Sequence, residues 1–172
     1  SVGYINWGDS GNYTNAHILV LDKSDYSSVT NISVNTNPHS LLLQNESLYV
    51  ASPSQYNGNG AVQRIILSNY TVENLDLIEA STPGYLKWDE TSLYITDDQW
   101  SGTGGLYIWN SLDDTTNHIL AGTGLKGISF KDEFIYCSSG YGGNFLYKID
   151  KTDYNNITII SNVGGGDMAL YE

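Results

Sequence analysis

Apolar and polar residues alternate along this chain in short runs that stop at polar turns. LLLQNESLYV from Leu41, LKWDETSLYI from Leu86 and ISFKDEFIYC from Ile128 align without gaps. Each run predicts a strand, a turn and a second strand, since period-two alternation marks a half-buried strand. The turns fall at Asn45-Glu46, Asp89-Glu90 and Asp132-Glu133. A fourth copy completes the set when the chain is treated as a circle, with MALYE from Met168 running on into SVGYI from Ser1. In the first strand of each copy, Leu41/Leu43, Leu86/Trp88, Ile128/Phe130 and Met168/Leu170 share one face, which is expected to pack on a neighbouring unit. No segment keeps a helical 3.6-residue period, so the chain is expected to be all-β.

The second half of each unit repeats as well. LYKIDKTDYNNITIIS from Leu146 matches ILVLDKSDYSSVTNIS from Ile18, with looser copies at VQRIILSNYTV from Val62 and LYIWNSLDDTT from Leu106. The tyrosines Tyr4, Tyr49, Tyr94 and Tyr136 stand 45, 45 and 42 residues apart. Such a unit of four short strands has the length of a β-propeller blade, and one blade alone cannot bury both of its faces. The expected architecture is therefore a single domain over 1–172 with four four-stranded blades. These comprise 168–172 with 1–36, then 37–82, 83–124 and 125–167, the first blade being completed by the C-terminal strand. That closure satisfies two strand edges at once. Three geometries stay open: a four-bladed ring in one chain, half of an eight-bladed ring shared by two chains, and a filament built by strand donation.

At SLYV, SLYI and FIYC, each followed by a Gly-rich loop and an LYKID-like strand, the chain resembles the YVTN and NHL-like propellers of bacterial and archaeal surface proteins. The resemblance spans all four units and implies architecture, with four blades in place of the six or seven usual there. Hemopexin-like domains also have four blades, but they typically tie the first to the last by a disulfide, which a chain with one cysteine cannot form.

Composition narrows the partners. Nineteen acidic residues against seven Lys and Arg give a formal charge of −12. Nucleic acid and anionic membranes bind through clustered cations, so neither partner is expected. No apolar run is long enough to span a bilayer, and no membrane insertion is expected. With Ser1 at its start and no leader-like segment, the sequence is expected to be a mature, processed or excised chain. Cys137, inside the apolar FIYC run, is expected to act as a small buried hydrophobe.

The loops after the second strands, NWGDSGNYTNA, SPSQYNGNGA, DDQWSGTGG and SSGYGGN, each set an aromatic among Gly, Ser and Asn. Repeat symmetry places Trp7, Tyr13, Tyr56, Trp100 and Tyr141 on one face. There the rings either stack on sugars or protein partners or fold back over their own blades. Asp97 and Asp98 are the candidate calcium ligands, without EF-hand spacing, and a solvated acidic loop is the alternative. No other cofactor is expected. His39, Lys126 and Asp167 converge at the channel mouth in this scheme, as an anion site or an acid–base cluster. Sequons at Asn12, Asn31, Asn45, Asn69 and Asn156 offer glycosylation sites.

No GxSxG, HExxH, CxxC or Walker pattern occurs. The leading expectation is a non-enzymatic extracellular or cell-surface propeller. It would serve as a structural or adhesion module, with glycans or other surface proteins as partners and possible self-assembly through strand donation. The alternative is a polysaccharide lyase or hydrolase acting at the channel mouth.

Overall fold

The computed structural model describes residues 16–53, 60–76, 78–99, 102–140 and 143–163. Those residues contain no helix. They form a two-stranded sheet, β1 (Ala16–Leu21) and β2 (Ser28–Val34), followed by three four-stranded sheets. The second sheet is β3 (Ser40–Gln44), β4 (Ser47–Ser52), β5 (Ala61–Ile66) and β6 (Thr71–Asn74). The third is β7 (Pro83–Asp89), β8 (Ser92–Asp97), β9 (Gly105–Asn110) and β10 (Thr115–Ile119). The fourth is β11 (Leu125–Lys131), β12 (Phe134–Ser139), β13 (Phe145–Asp150) and β14 (Ile157–Ser161). Every strand pairs antiparallel with its sequence neighbour, so each sheet is a meander. Residues 168–172 and 3–7, to which the sequence assigns the remaining strands of the first blade, lie outside the described residues.

The tight turns follow from residue chemistry. Gln44 pairs with Ser47, leaving Asn45 and Glu46 as a two-residue loop with φ of 47° and 58°. Two left-handed residues give the turn twist that matches the strands, and Asn tolerates that region well. In the third sheet Asp89 still pairs, with Ser92, so the turn is Glu90-Thr91. That is one residue beyond the position expected from the sequence, because Asp89 remains in the ladder.

Apolar clusters join consecutive sheets. Ala16, Ile18, Ile32 and Val34 of the first sheet pack on Val50 and Ile65 of the second. Tyr49, Ala51 and Val62 of the second pack on Leu86, Leu93, Tyr107 and Trp109 of the third. Tyr94, Leu106 and Ile108 of the third pack on Ile128, Ile135, Cys137, Tyr147 and Ile149 of the fourth. Each fully buried aliphatic side chain contributes roughly 1.5–3 kcal/mol. Equivalent aromatics repeat across two junctions: Tyr49 lies 5.4 Å from Trp88 and Tyr94 lies 4.9 Å from Phe130, centroid to centroid. Cys137 is fully buried, and burial pushes its thiol far above the usual range, so it stays a neutral thiol. Leu86 and Ile128 are buried as their alternation requires, whereas Leu41 and Leu43 are 53% and 66% exposed. The last two lie on the face that carries Val50 and Leu48, the face turned toward the first sheet.

A hydroxyl controls the start of two inner strands. Thr96 Oγ1 accepts the Tyr85 amide at 3.0 Å, and Ser138 Oγ accepts the equivalent Gly127 amide at 2.9 Å. In both sheets the inner strand bulges there, between Pro83 and Leu86 and between Leu125 and Ile128. The second sheet has Ala51 at that position, and Ser40 pairs with it in regular register. A side-chain acceptor replaces the ladder carbonyl and bends the strand.

Candidate functional site

Strand direction brings the ends of β4, β8 and β12 and the starts of β5, β9 and β13 to the same end of their sheets. The linkers that run from each outer strand to the next inner strand reach that end too. Between the second and third sheets this end carries a cleft of about 520 Å³, bordered by Gly60, the linker residues Asp76, Glu79 and Ser81, and Thr103. Asn35 and Asn74 complete its polar wall. A second hollow of about 420 Å³ shares Asn74 and Asp76 and lies beside the Arg64–Glu73 ion pair at 3.8 Å.

Beneath the first cleft lies a polar network. Asp97, the last residue of β8, is fully buried. Its Oδ2 accepts the Ser81 amide at 2.8 Å, while Oδ1 accepts the amides of Thr82 at 3.1 Å and Gln99 at 2.9 Å. Burial raises its pKa and outweighs these amide bonds, which lower it. Thr103 donates to Ser81 Oγ at 2.9 Å and accepts Tyr107 Oη on its carbonyl at 2.8 Å. His118 stacks on Tyr107 at 4.1 Å, with Nε2 2.9 Å from the Gly104 carbonyl. Burial, then the charges of Asp97 and Glu79, push the Tyr107 hydroxyl up to about 12. The network fixes the linker and both roots of the β8–β9 loop, so one wall of the cleft is held by its own hydrogen bonds.

The sequence-predicted residues distribute as follows. Trp7, Tyr13, Tyr56, Trp100 and Tyr141, the candidate ligand-binding aromatics, lie outside the described residues, as do Asn12 and Asp167. The roots of two of those loops, at Gly60 and Thr103, border the cleft. Asp97 is committed to the linker, and its neighbour Asp98 sits over Gly140, where a Cβ would overlap the Asp98 carboxylate. Among the described residues no three His, Cys, Asp or Glu side chains converge as a metal ion requires. His39 meets Tyr85 edge-on at 5.8 Å, while the Lys126 carbonyl accepts Thr96 Oγ1 at 3.0 Å. Asn31, Asn45, Asn69 and Asn156 are all exposed. Asn69 Oδ1 accepts the Thr71 amide at 3.0 Å in the β5–β6 turn.

Sequence reading missed the linker side of the cleft. Residues 75–82 carry no periodicity, and the acids Asp76 and Glu79 look like any solvated pair until the linker is placed.

Sequential four-stranded meanders, packed face to face with their linkers gathered at one end, define a β-propeller fold. No family model matches the sequence, and no curated protein matches it. Solved structures do resemble it. The computationally designed Ika8 protein superposes with a TM-score of 0.71 at 5% identity, covering 93% of this chain and 48% of that one. The computationally designed Ika4 protein gives 0.58 at 6% identity, covering 78% and 80%. TolB from Acinetobacter baumannii gives 0.56 at 15% identity, covering 86% and 38%. The chain thus spans about half of Ika8 and less of TolB, and at these identities the likeness is one of fold.

Proposed function

We propose that this chain is a non-enzymatic extracellular propeller of a surface assembly that binds a neutral polyhydroxylated ligand, such as a glycan, at the linker end. The observation that carries the reading is the cleft between the second and third sheets. Its wall offers amides from Asn35 and Asn74, hydroxyls from Ser81 and Thr103, and carboxylates from Asp76 and Glu79, with no Lys or Arg among its described lining residues. Hydroxyl, amide and carboxylate groups suit sugar hydroxyls, while the acids disfavour anions. The overall charge of −12 points the same way. Four exposed sequon asparagines are consistent with a chain that meets glycosyltransferases.

Calorimetric titration with neutral linear oligosaccharides, namely fragments of β-1,4-glucan, chitin and mannan, tests the reading. One of them is expected to bind, and Asp76→Ala with Glu79→Ala should abolish the heat while leaving the melting temperature unchanged. A flat titration for every sugar would remove the ligand class proposed. Intact mass from the native source tests exposure to glycosylation separately. The bare 18.9 kDa polypeptide would remove the glycoprotein part alone.

A further inference from the structure

The third strands of the four sheets form a register of equivalent positions. Tyr147, Tyr107 and Gln63 are buried against the preceding sheet, and so are Ile149, Trp109 and Ile65 two residues further on. Their equivalents in the first sheet are Leu19 and Leu21, which are 36% and 45% exposed. The opposite faces behave in the same way. Ile18, Val62 and Leu106 are buried against the following sheet, as are Tyr49 and Tyr94. In the fourth sheet the equivalents Leu146 and Tyr136 are only half-buried, and Ile160 beside them is 41% exposed. Apolar positions in this register that are exposed or only half-buried therefore sit on the two end faces, one at each end of the row. Each is the partner that the other meets at the three junctions already formed.

We propose that a second copy of this chain covers both faces: the fourth sheet of one copy seats on the first sheet of the other, at two equivalent junctions that close a ring. Three observations carry this. The open faces continue the interface that joins consecutive sheets within the chain, residue for residue. Within one chain no apolar cluster joins the fourth sheet to the first among the described residues, although a cluster joins each consecutive pair. The curvature also fits. Nearly the whole chain lies on 48% of Ika8 at a TM-score of 0.71, whereas Ika4, matched over 78% of this chain and 80% of its own, gives 0.58. The chain thus superposes on about half of a longer one. A head-to-tail contact closes into a ring when the rotation per subunit divides a full turn, and half an arc closes at two copies.

Light scattering over a concentration series of the 172-residue chain is expected to give twice 18.9 kDa. A mass of one chain, or a ladder of growing polymers, would overturn the proposal. Leu19→Glu with Leu21→Glu should give a monomer with an unchanged far-UV spectrum; a dimer that persists overturns it too. The variant Leu19→Cys/Leu146→Cys separates the routes of closure, since Cys137 is buried and does not compete. After oxidation, a non-reducing gel should show covalent dimers, whereas a compact cross-linked monomer would mean that one chain closes on itself.

Discussion

Asp97 accepts the Ser81 amide at 2.8 Å, so the end of β8 holds the linker through which the chain enters its own sheet. Ser52, at the equivalent position of the second sheet, lies 3.5 Å from the Asn35 carbonyl in the preceding linker. The carboxylate has replaced a weak hydroxyl tie with three amide bonds. Removing it leaves the Ser81, Thr82 and Gln99 amides without their acceptor. Ser81 and Thr82 are half-buried, where a donor left without its acceptor costs about 1–3 kcal/mol, while the exposed Gln99 turns to water, so Asp97→Ala should lose about 1–3 kcal/mol in urea denaturation. Asp97→Asn, which keeps one acceptor oxygen, should lose less. Equal midpoints for wild type and Asp97→Ala would show that the linker is held by other means.

Gly105 opens β9 with φ of +136°, and a Cβ there would lie 2.5 Å from the Ile119 carbonyl and 2.8 Å from His118 Nε2. Strain in such a region costs about 1–3 kcal/mol before the clash is counted. Gly105→Ala should therefore lower the melting temperature by at least about 2–4 °C. Gly102→Ala, where a Cβ meets nothing within 4 Å, is the control expected to melt with the wild type.

Burial raises the hydroxyl pKa of Tyr49, Tyr94, Tyr107 and Tyr147 above the ordinary 10. In the unfolded chain these groups ionise near 10, while the folded protein keeps them neutral. Their contribution to stability is whole below pH 10 and is lost as pH rises through the folded values, about 12 for Tyr107. Absorbance titration at the phenolate band should show these tyrosines ionising only as circular dichroism reports unfolding. Tyr107→Phe should remove one of them from that late step. Titration of all tyrosines well before unfolding would contradict the buried environments described.

The Asn45-Glu46 turn requires two left-handed residues. Asn45→Gly should be nearly neutral, and Asn45→Val should cost about 1–2 kcal/mol, as a β-branched residue pays the full left-handed penalty. Chemical denaturation of the two variants side by side reads the difference.

Much of the fold was legible because a repeat displays its own register. Leu41, Leu86 and Ile128 mark equivalent strands, and the structure builds a sheet from each. The bulges were not legible, since they depend on a hydroxyl of the second strand, Thr96 or Ser138, reaching an amide of the first. Asp97 shows the larger limit. In sequence it is one of two adjacent acids in a Gly-rich loop, which is why it suggested calcium. Two of its three amide partners come from a linker some fifteen residues upstream, and only the folded chain brings that linker to it. The cleft was hidden for the same reason, its acids standing on a segment without period.

Because every described strand hydrogen-bonds to its immediate predecessor or successor, all pairing among the described strands is local hairpin closure. Short loops cost little closure entropy, and topologies rich in local contacts fold faster than other all-β chains of their size. Stability in such a linear array is a sum of unit and nearest-neighbour terms, so structure can nucleate in one meander and spread to the next. During synthesis the second sheet would be complete in its hydrogen bonding before β7 is made. Damage confined to one end should accordingly leave a core of the remaining sheets protected from hydrogen exchange, a gradient along the chain in place of a single cooperative loss.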